Sequence, residues 1–272
     1  MVRAPKLIHI QFLNIILQML RLLIVFTPLF WLLALIACSG GDDRLLVSAA
    51  ASMRDALEAI ADSFETDTGI LVAYNFGGSR ALARQIELGA PADVVVFAGE
   101  SPMNHLDERG LIRRESRREI AENRLVLIAI EDLPNSLYGL GGLEIDASER
   151  MAIADPALAP AGEYARTALK AAGLWEKIQD NLVFAIDVRA AVTAVTSGNV
   201  KYAIVYESDV VVLPKTRSVF LIAESLYPPV IYPAAVVQNS VNSEIAEAFV
   251  RYLGDVETGK TMIEHGFKVE KR

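Results

Sequence analysis

Four positions at predicted helix starts have the chemistry to bind an anion. Ser52 and Ser79 carry hydroxyl groups, whereas Ala161 and Val188 can offer only backbone N–H groups. The first turn of a helix has N–H groups without intrahelical partners and a partial positive charge, so it attracts anions. Serine is also an ordinary helix cap, and each start taken alone has this simpler interpretation. An anion site is therefore predicted only if the fold brings the four starts together.

Nucleophilic catalysis is the alternative chemistry for the two serines. Neither lies in a Gly-x-Ser-x-Gly motif, and beyond residue 44 only His105 and His265 could act as bases. His105 falls in a predicted polar helix and His265 near the C-terminal end, so neither is expected beside a serine. No His, Asp and Glu cluster has the spacing of metal ligands. The sequence therefore favours a binding protein without a metal-cation site over a serine hydrolase.

Short apolar strands alternate with amphipathic helices and position these residues. The predicted strands are 45–49, 70–74, 94–98, 124–130, 151–154, 184–186, 203–206 and 230–237. Strand 94–98 has no polar residue on either face, so it should be buried on both sides. Ser52 and Asp55 resemble a capping box at the start of the first helix, and Asp187 should cap the helix that continues to Thr196.

Strands separated by single helices predict parallel sheets with helices on their faces. This alternation of strands and helices is interrupted and then resumes further along the chain. It therefore predicts an α/β protein with two lobes around a ligand cleft. We assign residues 45–122 and 228–272 to lobe I and residues 123–227 to lobe II. Ligands in open sheets of this kind bind beyond the carboxyl ends of the strands, where the four helix starts lie.

The charge balance excludes nucleic acid as a partner. The 272 residues include 26 Lys and Arg against 34 Asp and Glu, a net charge of −8. Residues 1–37 hold three basic residues and no acidic one, so the remainder has 23 basic residues, 34 acidic residues and a net charge of −11. Binding to DNA or RNA needs clustered cations that displace counterions from phosphate.

The N-terminus predicts export and lipidation. A basic start, a long apolar run and the small residues before Cys38 are typical of a signal, here residues 1–37. The ending Leu-Ile-Ala-Cys resembles a bacterial lipoprotein box, in which the cysteine is lipidated. Residues 38–44 then form a polar tether. The alternative is an uncleaved membrane helix around 22–37. Either interpretation places the body in the periplasm or at the outer face of the cell membrane, and the first makes it lipid-anchored.

The body resembles the periplasmic molybdate-binding proteins of ABC transporters from about Leu45 to Val269. The matching motifs are Ala-Ala-Ala-Ser at 49–52, Leu-Ala-Arg-Gln-Ile-Glu-Leu-Gly-Ala-Pro-Ala-Asp at 82–93, Ala-Asp-Pro at 154–156, Pro-Ala-Gly-Glu-Tyr-Ala at 160–165, Asp-Val-Arg at 187–189 and Ile-Val-Tyr-Glu-Ser-Asp at 204–209. The resemblance implies a class II periplasmic-binding-protein fold that closes on a tetrahedral oxyanion. It also implies a membrane permease and its ATPase as partners, and no cofactor.

The resemblance carries five ligand contacts onto this chain, namely Ser52, Ser79, Ala161, Val188 and Tyr206. Relatives commonly have small hydroxyl residues beside the second serine, whereas here Gly77 and Gly78 precede it and Arg80 follows it. This departure leaves two alternatives for Arg80, an approach to the anion or a solvated place in the first helical turn.

A site of this composition would hold the anion with neutral donors, each hydrogen bond to a charged acceptor contributing about 1.5–3 kcal/mol. Sulfate is smaller than molybdate and would leave donors unpaired, and protonated phosphate would find no acceptor. We therefore expect molybdate or tungstate as the ligand, with molybdenum bound as its oxyanion. A binding protein for sulfate or phosphate is the alternative.

Overall fold

Two five-stranded sheets, each flanked by helices, form the framework of the protein. The computed structural model describes residues 44–130, 139–211 and 216–270. Cys38, the predicted signal and all but the last residue of the predicted tether lie outside the described residues. The strands are β1 Arg44–Ala50, β2 Leu71–Gly77, β3 Val94–Val96, β4 Arg118–Asn123, β5 Leu125–Ile130, β6 Met151–Ala154, β7 Leu182–Ala185, β8 Tyr202–Tyr206, β9 Thr216–Leu221 and β10 Val230–Val236.

The helices follow the strands in the predicted alternation. They are α1 Arg54–Thr68, α2 Ser79–Glu87, α3 Glu100–Glu108, α4 Pro160–Ala171, α5 Trp175–Ile178, α6 Val188–Thr196, α7 Glu207–Val211, α8 Ser243–Leu253 and α9 Val256–Glu264. Among them, no helix has the length and apolar character needed to cross a membrane.

Each sheet contains one reversed strand. The first has the order β2-β1-β3-β10-β4 and the second β7-β6-β8-β5-β9. β10 is antiparallel to both of its neighbours, and so is β5, so four strands of each sheet run in one direction. The predicted α/β architecture with mainly parallel sheets is therefore confirmed. The two strands that are reversed directly follow segments that pass from one sheet to the other, rather than a helical crossover.

Arg124 alone separates β4 from β5, and residues 222–229 connect β9 to β10. The chain thus passes between the sheets twice. The lobe boundaries at 122/123 and 227/228 stay a prediction, because the described residues from Arg44 onwards pack as one compact unit.

The core lies on both faces of the first sheet. Val94 and Val96 of β3 face a large cluster that also includes strands of the second sheet. Val95 and Phe97 face a smaller cluster with α2 and α3. Burial of β3 on both sides, as the apolar run predicted, is confirmed. Burying an aliphatic side chain of this size contributes about 1.5–3 kcal/mol.

The predicted capping box at Ser52 is wrong. Ala51–Met53 forms a short 3₁₀ turn, and α1 begins at Arg54 without a side-chain cap. The Ser52 hydroxyl instead forms a hydrogen bond with the hydroxyl of Tyr232 on β10, so it is not available to cap the helix. By contrast, Asp187 caps α6 as predicted, since its Oδ1 accepts the N–H of Ala190 at 2.9 Å.

Candidate functional site

All five residues predicted to contact a ligand line one small cavity. It encloses about 210 Å³, open in part to solvent, and is lined by Ala50, Ala51, Ser52, Gly77, Gly78, Ser79, Ala98, Ala159, Pro160, Ala161, Asp187, Val188 and Tyr206. These residues lie at or just beyond the carboxyl ends of strands from both sheets. The cavity is small, so it suits a small solute rather than a drug-sized ligand. Arg80 is not among the lining residues.

The Ser79 hydroxyl is set to donate a hydrogen bond into the cavity. Its Oγ accepts the backbone N–H of Ala98 at 3.0 Å, and the residue is buried. One lone pair of the hydroxyl is thereby occupied by the protein, and its own proton is left for another acceptor. A ligand oxygen in the cavity would supply that acceptor.

Tyr206 carries a buried hydroxyl that the described residues leave without a partner. The side chain is 1% exposed, at the end of β8. Burial raises the pKa of Tyr206 well above its usual value, so the phenol stays protonated and neutral. A buried polar group without a hydrogen bond costs about 1–3 kcal/mol. An acceptor placed in the cavity would remove this cost.

The remaining donors are backbone groups at the helix starts. Val188 is the first residue of α6, and Ala161 is the second residue of α4, after a proline at its first position. Gly162 allows this start to press onto β6, because a Cβ there would lie 1.9 Å from the carbonyl oxygen of Ala154. N–H groups of a first helical turn have no intrahelical acceptor and are free for a ligand.

The nearby cations are neutralised by carboxylates. Arg80 pairs with Glu163 and also donates to Ser101 Oγ at 3.1 Å. Arg189 pairs with Asp55 and with Asp209, where Nε lies 2.8 Å from Oδ1. Of the two alternatives for Arg80, the structure supports neither contact with the cavity nor a free solvated side chain. Among the described residues, the cavity is therefore lined by hydroxyl and N–H donors and by the carboxylate of Asp187, and by no cation.

Asp209 itself is fully buried. Burial raises the pKa of Asp209 to about 7, although the charge of Arg189 opposes the shift. Its Oδ2 also accepts the N–H of Tyr206 at 3.1 Å, which fixes the backbone at the end of β8.

Gly78 lies where the chain closely approaches the backbone of two other segments. A Cβ at Gly78 would lie 2.6 Å from the carbonyl oxygen of Leu158 and 3.1 Å from that of Ile186. The Leu158 oxygen also accepts the N–H groups of Arg80 and Ala81, each at 3.1 Å. The first turn of α2 thus touches backbone that belongs with the second sheet. Sequence reasoning identified Gly78 as a departure but missed this contact.

Two other kinds of site find no support in the described part of the chain. His105 contacts Glu87 at 2.9 Å on the surface, His265 Nδ1 lies 2.8 Å from the carbonyl oxygen of Thr261, and neither lines the cavity. No group of three or more His, Cys, Asp or Glu residues in the described ranges could hold a metal ion. Neither described histidine can therefore act as a base for the cavity hydroxyls.

A second cavity, of about 1160 Å³, lies between β4 and helices α8 and α9. Its lining combines apolar side chains with four carboxylates and one lysine, namely Glu119, Glu122, Asp255, Glu270 and Lys260. Its excess negative charge disfavours an anion. The smaller cavity is the candidate functional site.

Comparison with known proteins assigns the chain to a family. Residues 45–268 match the family described as bacterial extracellular solute-binding protein. The Molybdate-binding protein ModA of Haemophilus influenzae is 34% identical over 84% of this chain and 91% of its own length. The putative ABC transporter substrate-binding lipoprotein YvgL of Bacillus subtilis is 33% identical over 83% of this chain and 86% of its own length.

A solved structure agrees with the fold. The periplasmic molybdate-binding protein of Azotobacter vinelandii superposes with a TM-score of 0.75 at 24% identity, covering 84% of this chain and all of that one. The two mixed sheets thus share the fold of that protein. Together with the match over residues 45–268, this means that the chain belongs to the bacterial extracellular solute-binding protein family.

Proposed function

We propose that this protein captures molybdate, and also tungstate, outside the cytoplasmic membrane and delivers it to an ABC importer. The observation that carries the proposal is the buried Tyr206 hydroxyl, which lacks a partner among the described residues and faces a cavity lined by further donors. The names of the Haemophilus and Azotobacter relatives give the ligand by similarity.

The donors favour an oxyanion without protons. Ser52, Ser79 and Tyr206 supply hydroxyls, and the starts of α4 and α6 supply N–H groups. Phosphate carries a proton near neutral pH, and the one carboxylate in the lining, Asp187, already accepts the N–H of Ala190 through its Oδ1. Each mismatched or unpaired donor costs about 1–3 kcal/mol, which is roughly fivefold to 150-fold in Kd. Sulfate has no proton, so size must exclude it. The smaller ion would not reach all five contacts at once.

Size cannot separate tungstate from molybdate, because the two anions are nearly the same size. We therefore propose that both bind. The proposed function requires only the bound oxyanion. It involves no cofactor and no catalytic step. Because the chain belongs to a solute-binding family and the described residues place no histidine beside its cavity serines, the protein is proposed to have no enzymatic activity.

We also propose that Cys38 anchors the chain through a lipid. The Leu-Ile-Ala-Cys sequence at 35–38 motivates this, and the Bacillus relative is named as a lipoprotein. The anchor would hold the body in the periplasm or at the outer face of the cell membrane, within reach of the permease, which the ATPase serves from the cytoplasmic side. Residues 45–122 with 228–272, and residues 123–227, are proposed as the two lobes that close on the anion.

A panel of oxyanions in a thermal-shift assay tests the ligand assignment. A ligand that binds only the folded protein adds RT ln(1 + [L]/Kd) to its stability, about 2.7 kcal/mol at one hundred times Kd. Molybdate and tungstate should raise the melting temperature, and sulfate and phosphate at equal concentration should not. Ser52→Ala should reduce the molybdate shift, whereas Ser197→Ala, an exposed serine outside the cavity, should keep it. If sulfate alone raised the melting temperature, the ligand would be sulfate and the assignment of molybdate would be wrong.

A further inference from the structure

A row of buried, hydrogen-bonded side chains lies behind the candidate site. Ser52 Oγ is 2.9 Å from the Tyr232 hydroxyl oxygen, across 180 residues of sequence. Asn123 Nδ2 is 3.4 Å from that same oxygen and 2.8 Å from Ser208 Oγ. Asn123 ends β4, next to the passage into the second sheet, and Tyr232 lies on β10. The row thus leads from a cavity hydroxyl to a segment that joins the two sheets.

The orientation of the Asn123 amide fixes the direction of the row. Its Oδ1 accepts the backbone N–H of Arg124 at 2.9 Å, so its NH₂ group must face Ser208 and Tyr232. An amide nitrogen donates and has no lone pair to accept a proton. Of the partners that the described residues give the Tyr232 hydroxyl, only Ser52 can therefore accept its proton. Tyr232 donates to Ser52, and the proton of Ser52 is left to point elsewhere.

The Ser52 hydroxyl is then left to donate its hydrogen bond into the cavity. Ser52 is 2% exposed and lines the cavity, and its lone pair is engaged by Tyr232. Burial raises the pKa of Tyr232 far above the physiological range, so the phenol keeps its proton. The arrangement parallels that at Ser79, whose Oγ accepts from Ala98 and whose proton is likewise free.

We propose that Tyr232, held by Asn123, is a positioning residue that fixes Ser52 as a hydrogen-bond donor to the bound oxyanion. This inference rests on the proposed function, because the role of Tyr232 and Asn123 depends on an anion bound in the cavity. Neither residue lines the cavity, but both act on Ser52, which does. It adds specificity, since a serine with a fixed donor direction cannot rotate to accept from a protonated ligand without leaving its own proton unpaired.

Tyr232→Phe removes the donated hydrogen bond and keeps the ring. The ring packs edge-on against Tyr206, with centroids 6.0 Å apart, and against Phe267 at 5.2 Å, contacts that phenylalanine retains. We expect the molybdate Kd to rise about fivefold to tenfold, because the donor direction of Ser52 is no longer fixed. Tyr74→Phe is the matched control. Its hydroxyl donates to the carbonyl of Leu57 at 2.8 Å, outside the cavity, so its Kd should stay within twofold of wild type.

A double-mutant cycle separates positioning from a general structural effect. Molybdate Kd values are measured by titration calorimetry for Tyr232→Phe in the wild-type, Ser52→Ala and Ser79→Ala backgrounds. We expect the effect to vanish without Ser52 and to persist without Ser79. Equal effects in both backgrounds, or an unchanged Kd in the single variant, would overturn the positioning role while leaving the proposed function intact. A wild-type protein that binds neither molybdate nor tungstate would overturn both.

Discussion

Removing the Tyr206 hydroxyl is the sharpest perturbation of the site. Tyr206→Phe keeps a fully buried ring and deletes one oxygen that has no partner among the described residues. If that hydroxyl donates to a charged ligand oxygen in a dry site, its loss costs about 1.5–3 kcal/mol of binding, or roughly tenfold to 150-fold in Kd. Without ligand, this substitution removes no hydrogen bond to any described residue. Its free energy of unfolding should therefore be unchanged, or should rise by about 1 kcal/mol because an unpaired buried hydroxyl is removed.

Binding and stability measurements should give opposite results for Tyr206→Phe and for the control Tyr74→Phe. Titration calorimetry with molybdate reports the Kd, and urea unfolding without ligand reports stability. Tyr206→Phe should weaken binding and preserve stability, whereas Tyr74→Phe should preserve binding and lose about 1 kcal/mol with its hydrogen bond to Leu57. Wild-type affinity in Tyr206→Phe would remove Tyr206 from the site and undermine the inference drawn from its unpaired hydroxyl.

Three further changes probe contact between the sheets, charge and anchoring. Gly78→Ala places a Cβ 2.6 Å from the Leu158 carbonyl, so calorimetry should show molybdate binding at least about tenfold weaker; unchanged binding would mean that this contact is dispensable. The folded-state pKa of Asp209, about 7 against an ordinary 3.8, means that stability from this group is lost as pH rises from 4 to 7. Urea unfolding of wild type should show this loss relative to Asp209→Asn, and parallel pH profiles would contradict it. Cys38→Ala should move the protein from the membrane fraction to the soluble one, and mass spectrometry of wild type should find a lipid on Cys38.

Local sequence patterns predicted the elements that local forces determine. The apolar run at β3 predicted burial on both faces, and Asp187 predicted the cap of α6. β4 was missed because its sequence, Arg-Glu-Ile-Ala-Glu-Asn, has no alternating apolar pattern, and pairing with β10 makes it a strand. The sequence also could not predict that β5 and β10 run antiparallel to their neighbours. Their direction results from the chain passing from one sheet to the other, which no local pattern records.

The candidate site shows the same division. Ser52 and Ser79 could be singled out as hydroxyls at helix starts, but no local pattern could show that they meet at one cavity. Ala161 and Val188 could be placed at predicted helix starts, but only the resemblance proposed them as ligand contacts, because a backbone N–H group leaves no mark on residue type. Tyr232 lies 180 residues from Ser52, and its hydrogen bond to that serine depends wholly on tertiary structure.

Competitive titration calorimetry with the purified protein tests the central claim most directly. Molybdate and tungstate should each bind with a large favourable heat and with Kd values close to one another. Sulfate and phosphate should bind at least about fivefold more weakly, because each leaves a donor unpaired or opposed by a proton. Affinity for sulfate equal to that for molybdate, or no heat with either metal oxyanion, would contradict a donor cavity matched to molybdate.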